Sequence, residues 1–306
     1  KKVDLIKSTV ESNQSFSING VKVKVKLVDK YLGDYLHSGG LSKSVEVTVA
    51  KRYGVCLHKV MELKSVIEDF RMHSLGGIKV GLEIFNLTIL PHLIYNADTW
   101  LEIDEKTITR LESLQKTMLR SLLSVPNSTP CPALAWDTAS ISVEYRVYQK
   151  KLLFLFHLIN LEESSLANEI FILQKNHNIP GFVKEGRQLL EKFSLPNIID
   201  QNHKISKLQW KKTHTSGYSK FKEGPMVTEH FEEKSYLTEM SMLDARLLFR
   251  IRCKTNDIKM NQQSNKTFAK QLWKCSECGN IDTQSHVLLC PYFASLREGK
   301  SLDNDL

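Results

Sequence analysis

Cysteine is scarce in this chain, six in 306 residues, too few and too scattered for a disulfide scaffold. Glycine and proline are scarce as well, 14 and 8, which excludes a collagen-like or Pro/Gly-rich linker protein. No apolar run approaches the roughly 20 residues that a membrane-spanning helix needs. The densest, Leu152 to Ile159, is interrupted by His157. No basic-then-apolar leader follows Lys1-Lys2-Val3-Asp4. The expected setting is intracellular and reducing, with no membrane as partner.

Catalytic signatures are also missing. Metal-dependent phosphoryl chemistry needs clustered carboxylates to hold two ions about 3.5–4 Å apart, and the chain has no Asp-Asp pair. It has no GxxxxGK[ST] phosphate loop, no HExxH and no GxSxG. His92, Asp98, His157 and Asp244 are present, but no spacing brings them together. They read as caps, satisfied polar groups or surface residues. No autonomous active site is expected.

What the chain does have is concentrated positive charge. The formal net charge is +8. From Gln201 to Lys222 there are six lysines, Lys211 and Lys212 among them, and no acid. From Ala245 to Lys274 eight basic residues face Asp257 alone. Charge gathered in this way points to a polyanionic partner. Trp210, Tyr218 and Phe221 within the first stretch offer stacking faces for unpaired bases. The competing reading is a solvated connector whose aromatics dock on a neighbouring core.

The hydrophobic pattern is mainly α. Val21 to Leu27 alternates valine with lysine, a period-two strand signal, and Asn19-Gly20 before it is a hairpin turn signal. Gly33 and Gly39-Gly40 close this small β unit. Ser42 to Leu75 reads as one or two helices ended by Gly76-Gly77. Lys79 to Leu90 is apolar-rich and is expected to stop at Pro91. Asp98 or Asp104 then caps a helix running to about Ser124. On its wheel Ile108, Leu111, Leu114, Met118 and Leu122 share one face, and Lys106, Arg110, Lys116 and Arg120 the other. Val143 to Leu161 is apolar around much of its circumference and reads as buried. Shorter helices follow, punctuated by Pro180-Gly181 and Gly186. Leu237 to Cys253 resumes helical spacing, with Arg246, Arg250 and Lys254 on one face.

The sharpest local motif is Cys275-x2-Cys278-x7-His286-x3-Cys290. Two residues between the first cysteines permit the tight turn that brings both sulfurs to one ion. The His-x3-Cys spacing places His286 and Cys290 one helical turn apart on a common face. Four N/S ligands with no carboxylate favour a closed, structural Zn²⁺ site. The alternative is three buried thiols beside a core histidine.

Several segments, in order, resemble the C-terminal half of non-LTR (LINE-type) retrotransposon reverse transcriptases. Lys30-Tyr31-Leu32-Gly33-Asp34 is similar to the block at the family's palm-to-thumb junction, and Leu90-Pro91-His92-Leu93-Ile94-Tyr95-Asn96-Ala97-Asp98-Thr99-Trp100 to its thumb signature. Leu111 to Leu122 and Pro126 to Leu134 resemble the helix and proline break that follow. Ala245 to Arg252, then Trp273 to Pro291, complete the series. The resemblance implies five segments: a palm-end β-hairpin remnant (1–40), a thumb-like helical domain (41–135), a helical linker region (136–195), a basic connector (196–236), and a basic helix with a CCHC zinc knuckle (237–306). It places Lys30, Tyr31 and Gly33 near the primer end.

Such a piece would grip template RNA and target DNA for RNA-directed DNA synthesis, in nucleus and cytoplasm. Lys106, Arg110, Lys116, Arg120, Lys211, Lys212, Arg246, Arg250 and Lys254 would contact nucleic acid. Mg²⁺ would belong to a polymerase domain absent from this chain, as any endonuclease domain is. The segment is expected to be truncated at both ends and inactive by itself. Two other readings remain: a stand-alone zinc-binding nucleic-acid adaptor or domesticated remnant, and a helical interaction protein stapled by zinc.

Overall fold

The computed structural model describes residues 15–18, 21–24, 26–71, 73–162, 164–177, 179–200, 233–253, 275, 278–280, 286 and 290–291. These residues are mainly helical, preceded by two short antiparallel hairpins. Strand β1 (Ser15–Ile18) pairs with β2 (Val21–Lys24), and the Ile18↔Val21 register leaves a two-residue connection. Asn19-Gly20 themselves lie outside the described residues. Strand β3 (Val28–Tyr31) pairs with β4 (Asp34–His37). Leu32 and Gly33 join them at φ +47° and +91°, the doubly left-handed geometry of a tight hairpin turn. Gly33 therefore turns a second hairpin instead of closing the β unit, which runs on to His37.

The described residues group into two compact units. One draws on Lys1–Val55, His92–Leu111 and Val143–Lys220, the other on Cys56–Pro91, Glu112–Ser142 and Phe221–Leu306. Helices α1 (Leu41–Arg71) and α4 (Glu105–Leu123) each contribute residues to both.

In the first unit, α6 (Val143–Ile159), α7 (Leu166–His177) and α8 (Phe182–Lys192) surround Val147, Leu152, Leu155, Phe171, Val183 and Leu190. The buried reading of the 143–161 segment holds along one side, where Lys151 is also enclosed. Gly186 does not punctuate a helix. It lies inside α8, where a Cβ would come within 2.9 Å of the Leu155 Cδ2 atom, so its missing side chain permits close packing.

In the second unit, the rest of α1 packs Cys56, Val60, Leu63 and Ile67 into the core. Gly76 is a correction: it does not cap α1. At φ +69° it is the N-cap of α2 (Gly77–Ile84), and its N–H donates to the Met240 carbonyl at 3.0 Å. Pro91 is a second correction, because the chain does not stop there. A π-helical turn (Phe85–Ile89) precedes α3 (Leu90–Leu93). Widening the turn accommodates the proline ring, which would otherwise clash with the carbonyl four residues back in a continuous α-helix.

Asp104 caps α4 as expected. Its Oδ1 accepts from the Thr107 N–H at 2.7 Å, and hydrogen bonding by Thr107 holds the carboxyl below its usual pKa. All five residues of the apolar wheel face are buried. The helix ends in a Schellman motif: Ser124 takes φ +51°, its N–H donates to the Ser121 carbonyl and the Val125 N–H to that of Arg120. After α5 (Cys131–Asp137), the expected 237–253 helix is split into α9 (Tyr236–Glu239) and α10 (Met242–Arg252). Ser241 begins α10 by accepting from the Asp244 N–H. Among the described residues, no helix is long and apolar enough to cross a membrane.

Candidate metal centre and basic surfaces

The Cys-x2-Cys turn is built by backbone. The Gly279 N–H donates to the Cys275 carbonyl at 3.0 Å, and the Cys275 N–H to the Asn280 carbonyl at 2.7 Å. Gly279 sits at φ +73°, and among the described residues nothing lies within 4 Å of the place a Cβ would take. That positive φ favours glycine on conformational grounds.

This turn places Cys275 and Cys278 beside His286 and Cys290, and the four ligand atoms all lie within 4.8 Å of one another. Cys275 Sγ stands 4.0 Å from Cys290 Sγ, and Cys278 Sγ 3.2 Å from His286 Nε2. Tetrahedral bonds near 2.3 Å to sulfur and 2.0 Å to nitrogen imply edges of about 3.5–3.8 Å, which these two distances bracket. All three cysteines are free thiols, and 4.0 Å is far from a disulfide bond. Cys290 is fully buried and the other three half-buried. The cluster contains no carboxylate and could hold one metal ion.

The expected nucleic-acid contacts differ in how far they are open to solvent. Lys106 is exposed, 3.8 Å from Glu46 Oε1. Arg110 is half-buried and already engaged, and Lys116 is half-buried. Arg120 is half-buried too, with Nη2 donating to the Thr129 carbonyl at 3.3 Å and lying 3.4 Å from Cys131 Sγ. The α4 face is therefore only partly open to solvent.

Arg246 is a correction. It is 4% exposed, its Nε donates to the Leu122 carbonyl at 2.6 Å, and its Nη2 pairs with Glu68 Oε1 at 2.9 Å. The guanidinium satisfies carbonyls at the C-terminus of α4, the end where the helix dipole favours a cation. Desolvation lowers its pKa while Glu68 opposes that shift. Arg246 cannot share a solvent face with Arg250 and Lys254. Arg250 is half-buried, with a shielded Nε that has no bond partner among the described residues. Lys211, Lys212 and Lys254 lie outside those residues.

Lys30 and Tyr31 are both exposed on β3, Tyr31 at 63%. The turn beside them is anchored by a residue that sequence reasoning missed. Arg52 donates to the Gly33 carbonyl at 2.8 Å, to Asp34 Oδ1 at 2.6 Å and to the Tyr95 carbonyl, and its guanidinium lies over the rings of Tyr95 and Trp100. Asn96 Nδ2 adds a bond to Asp34 Oδ2 at 3.1 Å. A Cβ at position 33 would stand 3.2 Å from the Tyr95 ring. The hairpin tip is thus clamped and presents Lys30 and Tyr31 outward.

No protein-family model, curated protein or solved structure matches the chain.

Proposed function

We propose that this chain is a nucleic-acid-binding segment of the reverse-transcriptase type, in which Cys275, Cys278, His286 and Cys290 hold a structural Zn²⁺ and cationic surfaces grip template RNA and target DNA. The observation that carries the reading is the convergence of four N/S ligand atoms within 4.8 Å, beside a stretch of sequence in which basic residues far outnumber acids. Sulfur and imidazole donors without carboxylate suit Zn²⁺ better than Mg²⁺ or Ca²⁺, and four protein ligands leave no open coordination position for chemistry. The ordered resemblance across the chain supplies the polymerase context.

The role assigned is grip, not catalysis, in keeping with the missing carboxylate pair. Lys30 and Tyr31 on the clamped hairpin would meet the primer end, and Lys106 the phosphate backbone. The purified chain is expected to carry one zinc per molecule by elemental analysis, and His286→Ala to lose it. Its affinity for single-stranded RNA should fall with salt, by about 0.7 in log–log slope per neutralised phosphate. With primer, template, Mg²⁺ and nucleotides it should extend nothing. Absence of zinc, or salt-insensitive binding, would overturn the proposal.

A further inference from the structure

A pocket of about 350 Å³ opens in the second unit, lined by Lys64 of α1, Thr117, Arg120 and Ser121 of α4, and Ser124 and Asn127 of the turn that ends it. With Val125 completing it, the lining joins two cations, three hydroxyls and an amide and contains no carboxylate; the Thr117 hydroxyl donates to the Ser113 carbonyl at 2.8 Å, which leaves the Ser121 and Ser124 hydroxyls to donate. We infer that it is a binding site for a phosphate group. The inference deepens the nucleic-acid reading above and rests on it only where the phosphate belongs to a strand.

Three features support this chemistry. Glu68, one turn beyond Lys64 on α1, is already held at 2.9 Å by the buried Arg246. Lys64 has no ion-pair partner among the described residues, so its ammonium is free to meet an anion. Both of Arg120's contacts within the chain, to the Thr129 carbonyl and the Cys131 sulfur, run through Nη2, which leaves Nη1 without an acceptor among the described residues. The oxygens of one phosphate group can together accept from a guanidinium, an ammonium and two hydroxyls, a combination that a carboxylate or halide would leave partly unused.

The Schellman end of α4 also matters. Its closing bonds tie up the carbonyls of Ser121 and Arg120, and Arg246 takes that of Leu122. Three acceptors that would repel an anion at a helix C-terminus are thereby satisfied. The cations and hydroxyls of the lining face the pocket without that opposition.

The test uses the full zinc-loaded chain, Lys64→Ala, the conservative Lys64→Arg, and Lys59→Ala, which removes an exposed charge from the same helix outside the pocket. Binding of labelled single-stranded RNA is titrated against salt, and inorganic phosphate is titrated separately by ³¹P NMR. For a strand phosphate, Lys64→Ala lowers the log–log salt slope by about 0.7. Lys64→Arg restores it and Lys59→Ala leaves it unchanged, with equal zinc content in all four proteins. For free phosphate, the NMR signal shows saturable binding that Lys64→Ala abolishes, whether or not RNA binds. If RNA binding fails in the parent chain but the phosphate arm succeeds, the nucleic-acid proposal falls and the pocket stands. An unchanged slope together with no saturable phosphate binding overturns the pocket.

Discussion

Lys151 illustrates how a single charged side chain is kept inside. It is 5% exposed, and its ammonium pairs with Glu185. Desolvation holds its pKa below the ordinary lysine value, and the Glu185 carboxylate only partly opposes that. A pair of this kind seldom repays the cost of burying both charges, whereas removing one partner strands the other. Lys151→Met is therefore expected to be neutral or stabilising in urea titration, and Glu185→Gln to cost about 2 kcal/mol. The latter lies below the usual range for enclosed pairs because 23% of the Glu185 side chain reaches solvent. The sign with pH follows. Between the lowered folded pKa and the unfolded one the unfolded chain binds more protons, so this pair's contribution rises with pH through that window. The advantage of Lys151→Met over the parent should shrink as pH approaches 10.5, the unperturbed value, and a constant difference would refute the account. The same logic explains what the sequence hid. Arg52 and Arg246 occupy apolar stripes, Arg52 between Val49 and Cys56, and Arg246 four after Met242 and three before Phe249. Helical spacing alone marks both as inward. Their partners, the Gly33 and Leu122 carbonyls, come from distant sequence and leave no local signal.

At the scale of elements, glycine decides more than its conformational freedom suggests. Gly81 lies within α2, where a Cβ would stand 2.6 Å from Leu122 Cδ2 and 2.8 Å from Ile67 Cδ1. Leu122 and Ile67 are themselves buried, so neither side chain can swing into solvent. Gly81→Ala sets two effects against each other. Alanine is the better helix former by about 1 kcal/mol, while overpacking a tight core costs typically 1–3 kcal/mol. With two branched side chains in the way the second should win, and a net loss of about 1 kcal/mol is expected in thermal or urea unfolding. A stabilised variant would show that the α1, α2 and α4 contacts are looser than described. The long helices were legible because their apolar faces repeat over many turns, as in Ile108 to Leu122. Shorter features were not. Gly76 and Gly186 carry breaker residue types but serve as a helix start and a packing contact, and Pro91 is carried by a π-turn that no propensity announces.

At the scale of the whole chain, the candidate metal cluster and the helical cores would draw on different sources of stability. The cores bury Ile78, Leu111, Leu114, Leu122, Leu134, Val147 and Phe249 almost completely, apolar surface that needs no ion. The motif spacing of the four ligands was readable because two intervals, x2 and x3, each fix a local turn. Their convergence across the x7 gap was not, since only folding or metal can supply it. The two sources should therefore separate under acid. Metal binding requires deprotonated thiolates and neutral imidazole, against free values near 8.5 and 6.5, so protons compete directly with the ion. As pH falls from 7 to about 5, bound metal should be released in one steep step, read with a chromogenic zinc indicator. The far-UV helical signal should change little over that step, and a chelator at pH 7 should reproduce both results. RNA affinity should fall together with metal content. If helicity collapses in parallel with release, the ion stabilises the helical cores themselves, and the division of labour drawn here between burial and coordination is wrong.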